Sequence, residues 1–549
     1  MEALSSSSAY DPNDDDDFTP TPRSAFHTDP VLCQSILSSA TVTASSAKLE
    51  IKSSLISMGS GLFVSDKTDK GHYNERGIPA GREIYRSKPV MWALDHEGKY
   101  HAGGGGGFCD ECGQGEGGAT VKACSGCLVA GFCGKKCQKA AWNKFHKDEC
   151  KTLRNVPVMK AQNLLAHRLI WWQQRGFVTT KQGKVIEKME SHFNEYTKDK
   201  KLSTEVFDIA VAVRSETGGK VNVGFMWNLV PKLRTNCVRL RPASQKESIG
   251  CALDLLTATI NHSCDPNAFV FFEGTELRVR SLKKIAPGEE ITICYIDPTI
   301  DVSTRQEILL REHFFNCRCT RCKSEQMEEQ GWIKKAGGKL ENLHKAQREI
   351  VNLTKSAVKA SKFPGIYKEF DDLGGVETTL RTIMCNTFPA TQWPDIIEPV
   401  PLARLCLAML YLDQGKPDPA LRNALRGKLV SRRRTGPEWV NEMMDVIQVL
   451  MVAGSLTPDK IQDPTYPNPI DIQTVTYGYM YETCKGAGEA FGGDSEYTKG
   501  ICELFASLVG KKVDGEKPGS RGFEKEFVEA QGRLMEWAVI AKDYGVVIH

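Results

Sequence analysis

Seven cysteines and one histidine lie within 42 residues, between Cys109 and Cys150. They form four closely spaced pairs, which are Cys109/Cys112, Cys124/Cys127, Cys133/Cys137 and His146/Cys150. Each pair places two donors within reach of one ion, and eight donors are the number that two closed tetrahedral zinc sites require. Because a closed site has no open position for water, these ions are predicted to be structural rather than catalytic.

The sequence predicts a location inside the cell, where thiols stay reduced and can bind metal. The N-terminus lacks the basic start and apolar core of a secretory signal. No window approaches the roughly 18 consecutive apolar residues of a membrane span. We therefore expect a cytoplasmic or nuclear protein without membrane association, where clustered cysteines more often bind metal than form disulfides.

Length and charge limit the class of protein. The 549 residues are 41% hydrophobic and 25% charged, which is typical of a folded chain of two to four domains. A net charge of +3 indicates no polyanionic partner. Between residues 109 and 150, six lysines face five acidic residues, a weak basis for neutralising phosphates, so peptide binding is favoured over nucleic-acid binding.

The segments before the cysteine cluster carry three weaker signals. Residues 1–50 are rich in Ser, Thr, Asp and Pro, and we predict a disordered tail. The run Gly103–Gly107 is typical of a flexible linker. In "SMGSGLF", Gly59 and Gly61 would let the backbone approach a ligand closely, although this spacing is also typical of a turn.

A β-rich segment follows the cluster, in "NHSCDPNAFVFFEGTELRVRSLKKIAPGEEITICYIDP". Its two β-rich runs predict a hairpin joined at Gly274. After a Pro-Gly turn, Ile291, Ile293 and Tyr295 occupy alternate positions, which predicts a strand with one buried face. On this pattern alone, Tyr295 is predicted to be a core residue.

Several of these motifs resemble one known family. "NHSCDPN" followed by "GEEITICYID" closely resembles the core of SET-domain methyltransferases, and "GSGLF" with "IPAGREIYRSKPV" resembles the start of that domain. The cysteine cluster resembles the MYND zinc finger. Their order is that of the SET and MYND domain (SMYD) protein lysine methyltransferases, and the resemblance covers about residues 55–325.

The resemblance implies an α+β fold. A β-rich SET domain would be split by an inserted MYND finger and followed by a cysteine-rich post-SET tail. Helical spacing in "PLARLCLAMLYLDQG" predicts an α-helical, tetratricopeptide-like C-terminal domain. The expected segments are the tail (1–50), the N-terminal SET part with the glycine linker (51–108), the finger (109–150), an intermediate region (151–250), the SET core (251–298), the post-SET segment (299–325) and the helical domain (326–549).

The resemblance also implies which ligands share an ion, for three zinc ions in total. The first ligand set would be Cys109, Cys112, Cys133 and Cys137, and the second Cys124, Cys127, His146 and Cys150. The motif "NCRCTRC" supplies three ligands, and the resemblance implies Cys264 as the fourth beside Cys317, Cys319 and Cys322. The other eight cysteines lie singly and are predicted to be small buried residues.

By the same resemblance, S-adenosylmethionine is the cofactor and Tyr295 lies at the methyl-transfer site. The residues implied to bind the cofactor are Gly59, Gly61, Asn261, His262, Tyr295 and Phe315. Transfer needs a neutral lysine, which an apolar aromatic channel favours by desolvation. Where the family commonly has a second channel tyrosine, this chain has His313. An imidazole there predicts an altered methylation state, rate or pH dependence, or a loss of activity.

The function predicted is therefore S-adenosylmethionine-dependent methylation of a lysine in a protein substrate. We expect a monomer whose finger binds proline-rich peptides. The alternative is a zinc-stabilised adaptor with a weak or inactive SET core. The "NHSC" motif, Tyr295 and the Gly59/Gly61 pair favour the enzyme, whereas His313 favours the adaptor. A nucleic-acid-binding regulator is disfavoured by the charge.

Overall fold

The structure is a computed structural model. It describes residues 26–538 except 44–47, 58, 68–75, 97–106, 116–119, 156–159, 175, 217–222, 363–372, 389–392, 394–395, 430, 432–433, 457–463 and 511–516. Residues 1–25 of the predicted tail and most of the predicted glycine linker lie outside the described residues.

The described chain combines short strands with many helices. The strands are β1 (Thr41–Val42), β2 (Leu49–Ser53), β3 (Ser60–Val64), β4 (Glu83–Ser87), β5 (Met91–Leu94), β6 (Lys122–Ala123), β7 (Gly131–Phe132), β8 (Val238–Leu240), β9 (Gly250–Leu253), β10 (Asn261–His262), β11 (Ala268–Glu273), β12 (Glu276–Ser281) and β13 (Thr292–Ile293). The helices are α1 (Pro30–Leu37), α2 (Lys135–Ala141), α3 (Lys147–Asn155), α4 (Ala161–Gln174), α5 (Thr180–Glu187), α6 (Phe193–Lys198), α7 (Lys200–Glu216), α8 (Val223–Asn236), α9 (Val302–His313), α10 (Thr320–Ala336), α11 (Leu340–Lys362), α12 (Leu373–Thr387), α13 (Val400–Asp413), α14 (Pro417–Leu429), α15 (Gly436–Gly454), α16 (Pro469–Phe491), α17 (Glu496–Val509) and α18 (Arg521–Trp537). Short 3₁₀ turns cover Phe26–Thr28 and Thr257–Thr259, and a π-helical turn covers Trp142–His146.

The β-rich domain is assembled from two parts of the chain that the finger separates. One sheet has the order β1-β4-β12-β11, and a second has the order β5-β9-β8. In both sheets a strand that precedes the finger pairs with a strand that follows it. The predicted hairpin at Gly274 is confirmed, since β11 pairs antiparallel with β12 and Gly274 has a φ of 61°. The finger is therefore an insertion within one domain.

The helices form two groups. Helices α4 to α8 follow the finger, and α4 packs against β5 and β9. Helices α10 to α18 form the C-terminal domain, in which α13 packs on α14 and α15 on α16. None of the helices in the described ranges combines the length and apolar character needed to cross a bilayer. The predicted α+β fold with a helical C-terminal domain is confirmed.

A buried arginine joins the β-rich domain to the helical domain. Arg278 of β12 has a side chain that is only 2% exposed and contacts three carboxylates. Its guanidinium lies 2.5 Å from Glu83, 2.8 Å from Glu273 and 2.8 Å from Asp494, which lies between α16 and α17. Because Glu83 and Glu273 belong to the β-rich domain and Asp494 to the helical domain, this cluster links the two domains.

The prediction of a disordered tail through residue 50 is wrong for its described part. Helix α1 buries Leu32 and Ile36, which are spaced to share one helix face. The Asp29 side chain accepts hydrogen bonds from the first turn, and Pro30 occupies the first helical position, both of which favour a helix start. The predicted post-SET segment also overlaps a helix, because α10 begins at Thr320.

The prediction of eight single buried cysteines is also wrong in part. Cys484 of α16 and Cys502 of α17 form a disulfide. They are 18 residues apart in sequence, so only the packing of the two helices brings them together. Cys385 is exposed, Cys251 is buried, and the other four are half-buried.

Candidate active site and metal centres

The described residues contain three clusters of four metal-binding side chains. The members are Cys109, Cys112, Cys133 and Cys137; Cys124, Cys127, His146 and Cys150; and Cys264, Cys317, Cys319 and Cys322. Within each cluster the ligand atoms lie within 4.8 Å of one another. Tetrahedral zinc with bonds of about 2.3 Å separates two sulfurs by about 3.8 Å. The Cys112–Cys133 and Cys124–Cys150 sulfurs are 3.7 and 3.9 Å apart, so the donor sets fit zinc.

The third cluster ties the segment after β10 to the chain after α9. Cys264 follows β10, whereas its three partners precede or open α10. The buried Arg305 guanidinium lies 3.9 Å from the Cys322 sulfur, and Arg321 donates to the Cys264 carbonyl at 3.0 Å. Four thiolates around Zn²⁺ leave a net negative charge, which these guanidinium groups offset.

A buried ion pair supports the histidine ligand of the finger. The Glu149 carboxylate lies 3.5 Å from His146 Nδ1 and accepts two hydrogen bonds of 2.8 Å from Arg168. Burial alone would raise the pKa of this carboxyl, but Arg168 and His146 hold the pKa well below its usual range. Arg168 also donates to the carbonyl of Trp92 in β5. The pair therefore links the finger to the β-rich domain.

We expect Glu149→Gln to weaken zinc binding by the finger about 10- to 100-fold, because partners of this kind orient a metal-binding histidine. Competition with a chromophoric chelator measures this change. Glu187→Gln, at an exposed position of α5, is the matched control and should leave zinc affinity unchanged. Equal zinc retention by the two variants would contradict this role of Glu149.

Three of the predicted site residues, Asn261, Tyr295 and His313, line a cavity between the β-rich and helical domains, whereas Gly59, Gly61, His262 and Phe315 are not among its lining residues. Its volume is about 1270 Å³. Ser60, which lies between the two glycines, also lines it. The helical domain contributes residues 435–438, at the start of α15, and residues 489–490 of α16. A cavity of this size holds a cofactor together with part of a substrate.

Aromatic rings converge at this cavity. The Tyr295 ring centroid lies 4.9 Å from that of His313 and 5.2 Å from that of His262. The His262 ring lies 5.7 Å from Phe315. The structure thus brings Tyr295, His313, His262 and Phe315 together. Phe314, which precedes Phe315 in the chain, packs on other aromatic rings outside this group.

Hydrogen bonds fix Tyr295 at both its ends. Its phenol donates to the Ile260 carbonyl at 2.6 Å, and its backbone N–H donates to His262 Nδ1 at 3.0 Å. Since Nδ1 accepts, the neutral ring carries its proton on Nε2, which lies 3.2 Å from the Cys264 sulfur. His262 therefore connects Tyr295 to a predicted zinc ligand.

The glycine pair lies against Asn261. The Asn261 amide donates to the Ser60 carbonyl at 3.0 Å and to Glu290 at 2.6 Å. A Cβ added at Gly61 would lie 2.3 Å from a Glu290 oxygen, so a larger residue there would displace the Glu290 carboxylate. Gly59 accepts a backbone hydrogen bond from the residue before the turn, Ser54, at 2.8 Å.

Glu290 is a site residue that the sequence reasoning missed. Besides Asn261, the Ser54 hydroxyl contacts its carboxylate. Burial raises the pKa of Glu290, and the hydrogen bonds from Asn261 and Ser54 oppose that shift. Glu290 is the second Glu of the motif "GEEITICYID". The motif alone does not show that this side chain lies beside the glycine pair.

Comparison with known proteins agrees with this arrangement. The SET domain model matches residues 132–296, and the MYND finger model matches residues 109–150. "SET domain and MYND-type zinc finger protein 6" of Schizosaccharomyces pombe is 30% identical over 50% of this chain and 54% of its own length. Human "Histone-lysine N-methyltransferase SMYD3" is 30% identical over 48% of this chain and 62% of its own length. "Histone-lysine N-methyltransferase ASHR1" of Arabidopsis thaliana is 27% identical over 48% of this chain and 55% of its own length.

The match thus spans between 54 and 62% of these relatives' length. The split β-rich domain, the cysteine clusters and the matched models define a SET-domain protein with an inserted MYND zinc finger. In sequence and in domain order the chain is similar to these relatives, which carry SET and MYND domains.

Proposed function

We propose that this chain is an S-adenosylmethionine-dependent protein lysine N-methyltransferase. The observation that carries the proposal is the convergence, at one cavity, of Tyr295 and His313 with Asn261 and Ser60, the residue between the two glycines. Two of the relatives are named as histone-lysine methyltransferases, which supports a lysine in a protein as the methyl acceptor. A histone or a non-histone protein fits this chemistry equally well.

The cofactor supplies a methyl group on a sulfonium, and the residues around the cavity prepare the acceptor. An amine attacks only when it is neutral, and at a reference pKa near 10.4 deprotonation at pH 7 costs about 4 to 5 kcal/mol. Removing water from the amine reduces this cost. The rings of Tyr295, His313 and Phe315 suit such a channel. Near the sulfonium of the cofactor, such rings would also offer cation–π attraction.

Tyr295 is proposed to orient the amine. Its phenol donates to the Ile260 carbonyl, and the residue lines the cavity, so the phenol has a defined position where the amine would bind. Because its backbone is held by His262, the ring has a defined position. Orientation of this kind is the largest contribution a protein makes to a displacement that needs no acid–base group. His313 would replace the phenol of a second channel residue with an imidazole.

We propose three zinc ions per chain, one in each four-ligand cluster, and proline-rich peptides as partners of the finger. The donor sets and their separations support the first proposal. The near balance of lysine and acidic residues in the finger supports a peptide over nucleic acid. That the chain is a monomer stays an expectation. Its location in the cytoplasm or nucleus also stays an expectation, which the cysteines clustered as metal ligands support.

Calorimetric titration with S-adenosylmethionine tests the proposed function. We expect the folded, zinc-loaded chain to bind, and Asn261→Ala to raise Kd at least about 10-fold, because the variant frees the buried Glu290 and the Ser60 carbonyl from their amide partner. Asn194→Ala, at an exposed position of α6, is the matched control. Absence of binding by the zinc-loaded wild-type chain would contradict the enzyme and favour the adaptor.

A further inference from the structure

Phe26, in the 3₁₀ turn Phe26–Thr28, lines the same cavity as Ser60, the residue between the two glycines, although sequence composition assigned this turn to a disordered tail. Phe26 is 3% exposed and lines the cavity together with Ser60, Asn261 and Tyr295. The motif-bearing part of the chain begins about 30 residues later, at Ser60. This wall of the cavity is thus supplied by a segment outside the matched region of the SET domain model, residues 132–296.

His27 makes two contacts with the residue between the two glycines. Its backbone N–H donates to Ser60 Oγ at 3.0 Å, and its ring Nδ1 lies 3.1 Å from the same oxygen. Ser60 is 6% exposed. The Ser60 hydroxyl therefore has a position set by His27, and its backbone carbonyl has a position set by Asn261.

The segment that carries His27 is held by contacts within it and with its neighbours. Within the segment, Asp29 caps α1, and the Cys33 thiol donates to the Phe26 carbonyl at 3.2 Å. Outside it, Asp29 pairs with Lys188 at 3.0 Å, helix α1 packs on β2 and on α5, and the 3₁₀ turn packs on β2. Because α1 and the turn both pack on folded neighbours, the turn has a fixed position at the cavity.

We propose that the turn Phe26–Thr28, held by α1, forms part of the wall of the cofactor pocket, and that His27 is a positioning residue acting through Ser60 on the amino-acid end of S-adenosylmethionine. This inference rests on the proposed function. The amino-acid end carries an ammonium and a carboxylate, which need fixed polar partners. The held hydroxyl of Ser60, which lines the cavity, offers such a partner for that end.

Two ligands separate this role from a general effect on folding. S-adenosylmethionine carries the amino-acid end, and 5′-methylthioadenosine lacks it. We expect His27→Ala to raise the Kd of S-adenosylmethionine about 3- to 10-fold, the range for one lost hydrogen bond. The same variant should change the Kd of 5′-methylthioadenosine less than about 2-fold. Val31→Ala, at a side chain of α1 that is 75% exposed, is the matched control and should change neither Kd.

A double-mutant cycle tests whether His27 acts through Ser60. If it does, the His27→Ala and Ser60→Ala effects on the Kd of S-adenosylmethionine will not add, and the double variant will match Ser60→Ala.

Hydrogen exchange on the wild-type chain tests the wall without any variant. We expect the amides of residues 26–37 to exchange more slowly after S-adenosylmethionine is added.

The outcomes distinguish the two proposals. Failure of the wild-type chain to bind either ligand would overturn the proposed function, and this inference with it. Wild-type binding that His27→Ala leaves unchanged, or weakens equally for both ligands, would overturn the role of His27 alone. Unchanged exchange at residues 26–37 on cofactor addition would overturn the wall.

Discussion

Tyr295→Phe is expected to lower the rate of methyl transfer at least about 100-fold, because the phenol oxygen is the group proposed to orient the amine and small misplacements cost this much. The variant also loses the hydrogen bond to the Ile260 carbonyl, which should lower the free energy of unfolding by only about 1 kcal/mol. Transfer of a labelled methyl group to a peptide array, with thermal unfolding of the same preparation, measures both effects.

Tyr85→Phe is the matched control for this experiment. Tyr85 belongs to β4, is fully buried in the same domain, and its phenol is bonded to Thr257 at 2.8 Å. Both variants remove one hydrogen-bonded phenol oxygen from the domain. Full activity of Tyr295→Phe, or equal loss of activity in the two variants, would contradict the role assigned to Tyr295.

Cys264→Ser is expected to reduce the zinc content from three ions to two, because the other clusters do not share this ligand. Structural zinc contributes on the order of 10 kcal/mol to the folding of the segment that binds it, so the tail after α9 should lose its fixed position. The His262 ring, which contacts both Cys264 and Tyr295, should lose one of its two partners. Elemental analysis and thermal unfolding measure these changes.

Cys385→Ser changes an exposed cysteine in α12 and should retain all three zinc ions. We also expect Cys264→Ser to weaken S-adenosylmethionine binding, while Cys385→Ser leaves it unchanged. Full zinc content in Cys264→Ser would contradict the third site, and one ion or none in the wild-type chain would contradict the ligand assignment as a whole.

The ligand clusters could be predicted because their information is local. Pairs such as Cys109/Cys112 are three or four positions apart, so the backbone alone brings them to one ion. The hairpin at Gly274 is equally local. The interleaving of pairs, and the place of Cys264 beside the tail cysteines, required the family resemblance, since 53 residues separate Cys264 from Cys317.

The contacts that the sequence did not predict join distant segments. The start of α1 had local signals in Asp29 and Pro30, but the surrounding Ser-rich composition outweighed them. The contact of His27 with Ser60 spans 33 positions, and that of Ser54 with Glu290 spans 236. No periodicity or spacing rule reports such contacts, because packing of the whole domain creates them.

The split of the β-rich domain also governs how the chain is made. Arg86 in β4 pairs with Arg278 in β12, 192 positions later. At roughly 5 to 20 residues per second, the ribosome delivers that partner strand about 10 to 40 s after β4 emerges. The finger, whose ligands span only 42 residues, is complete long before then. Zinc binding by the finger during synthesis would therefore shorten the flexible loop between β4 and β12. The zinc supply in the cell would then limit the yield of folded chain.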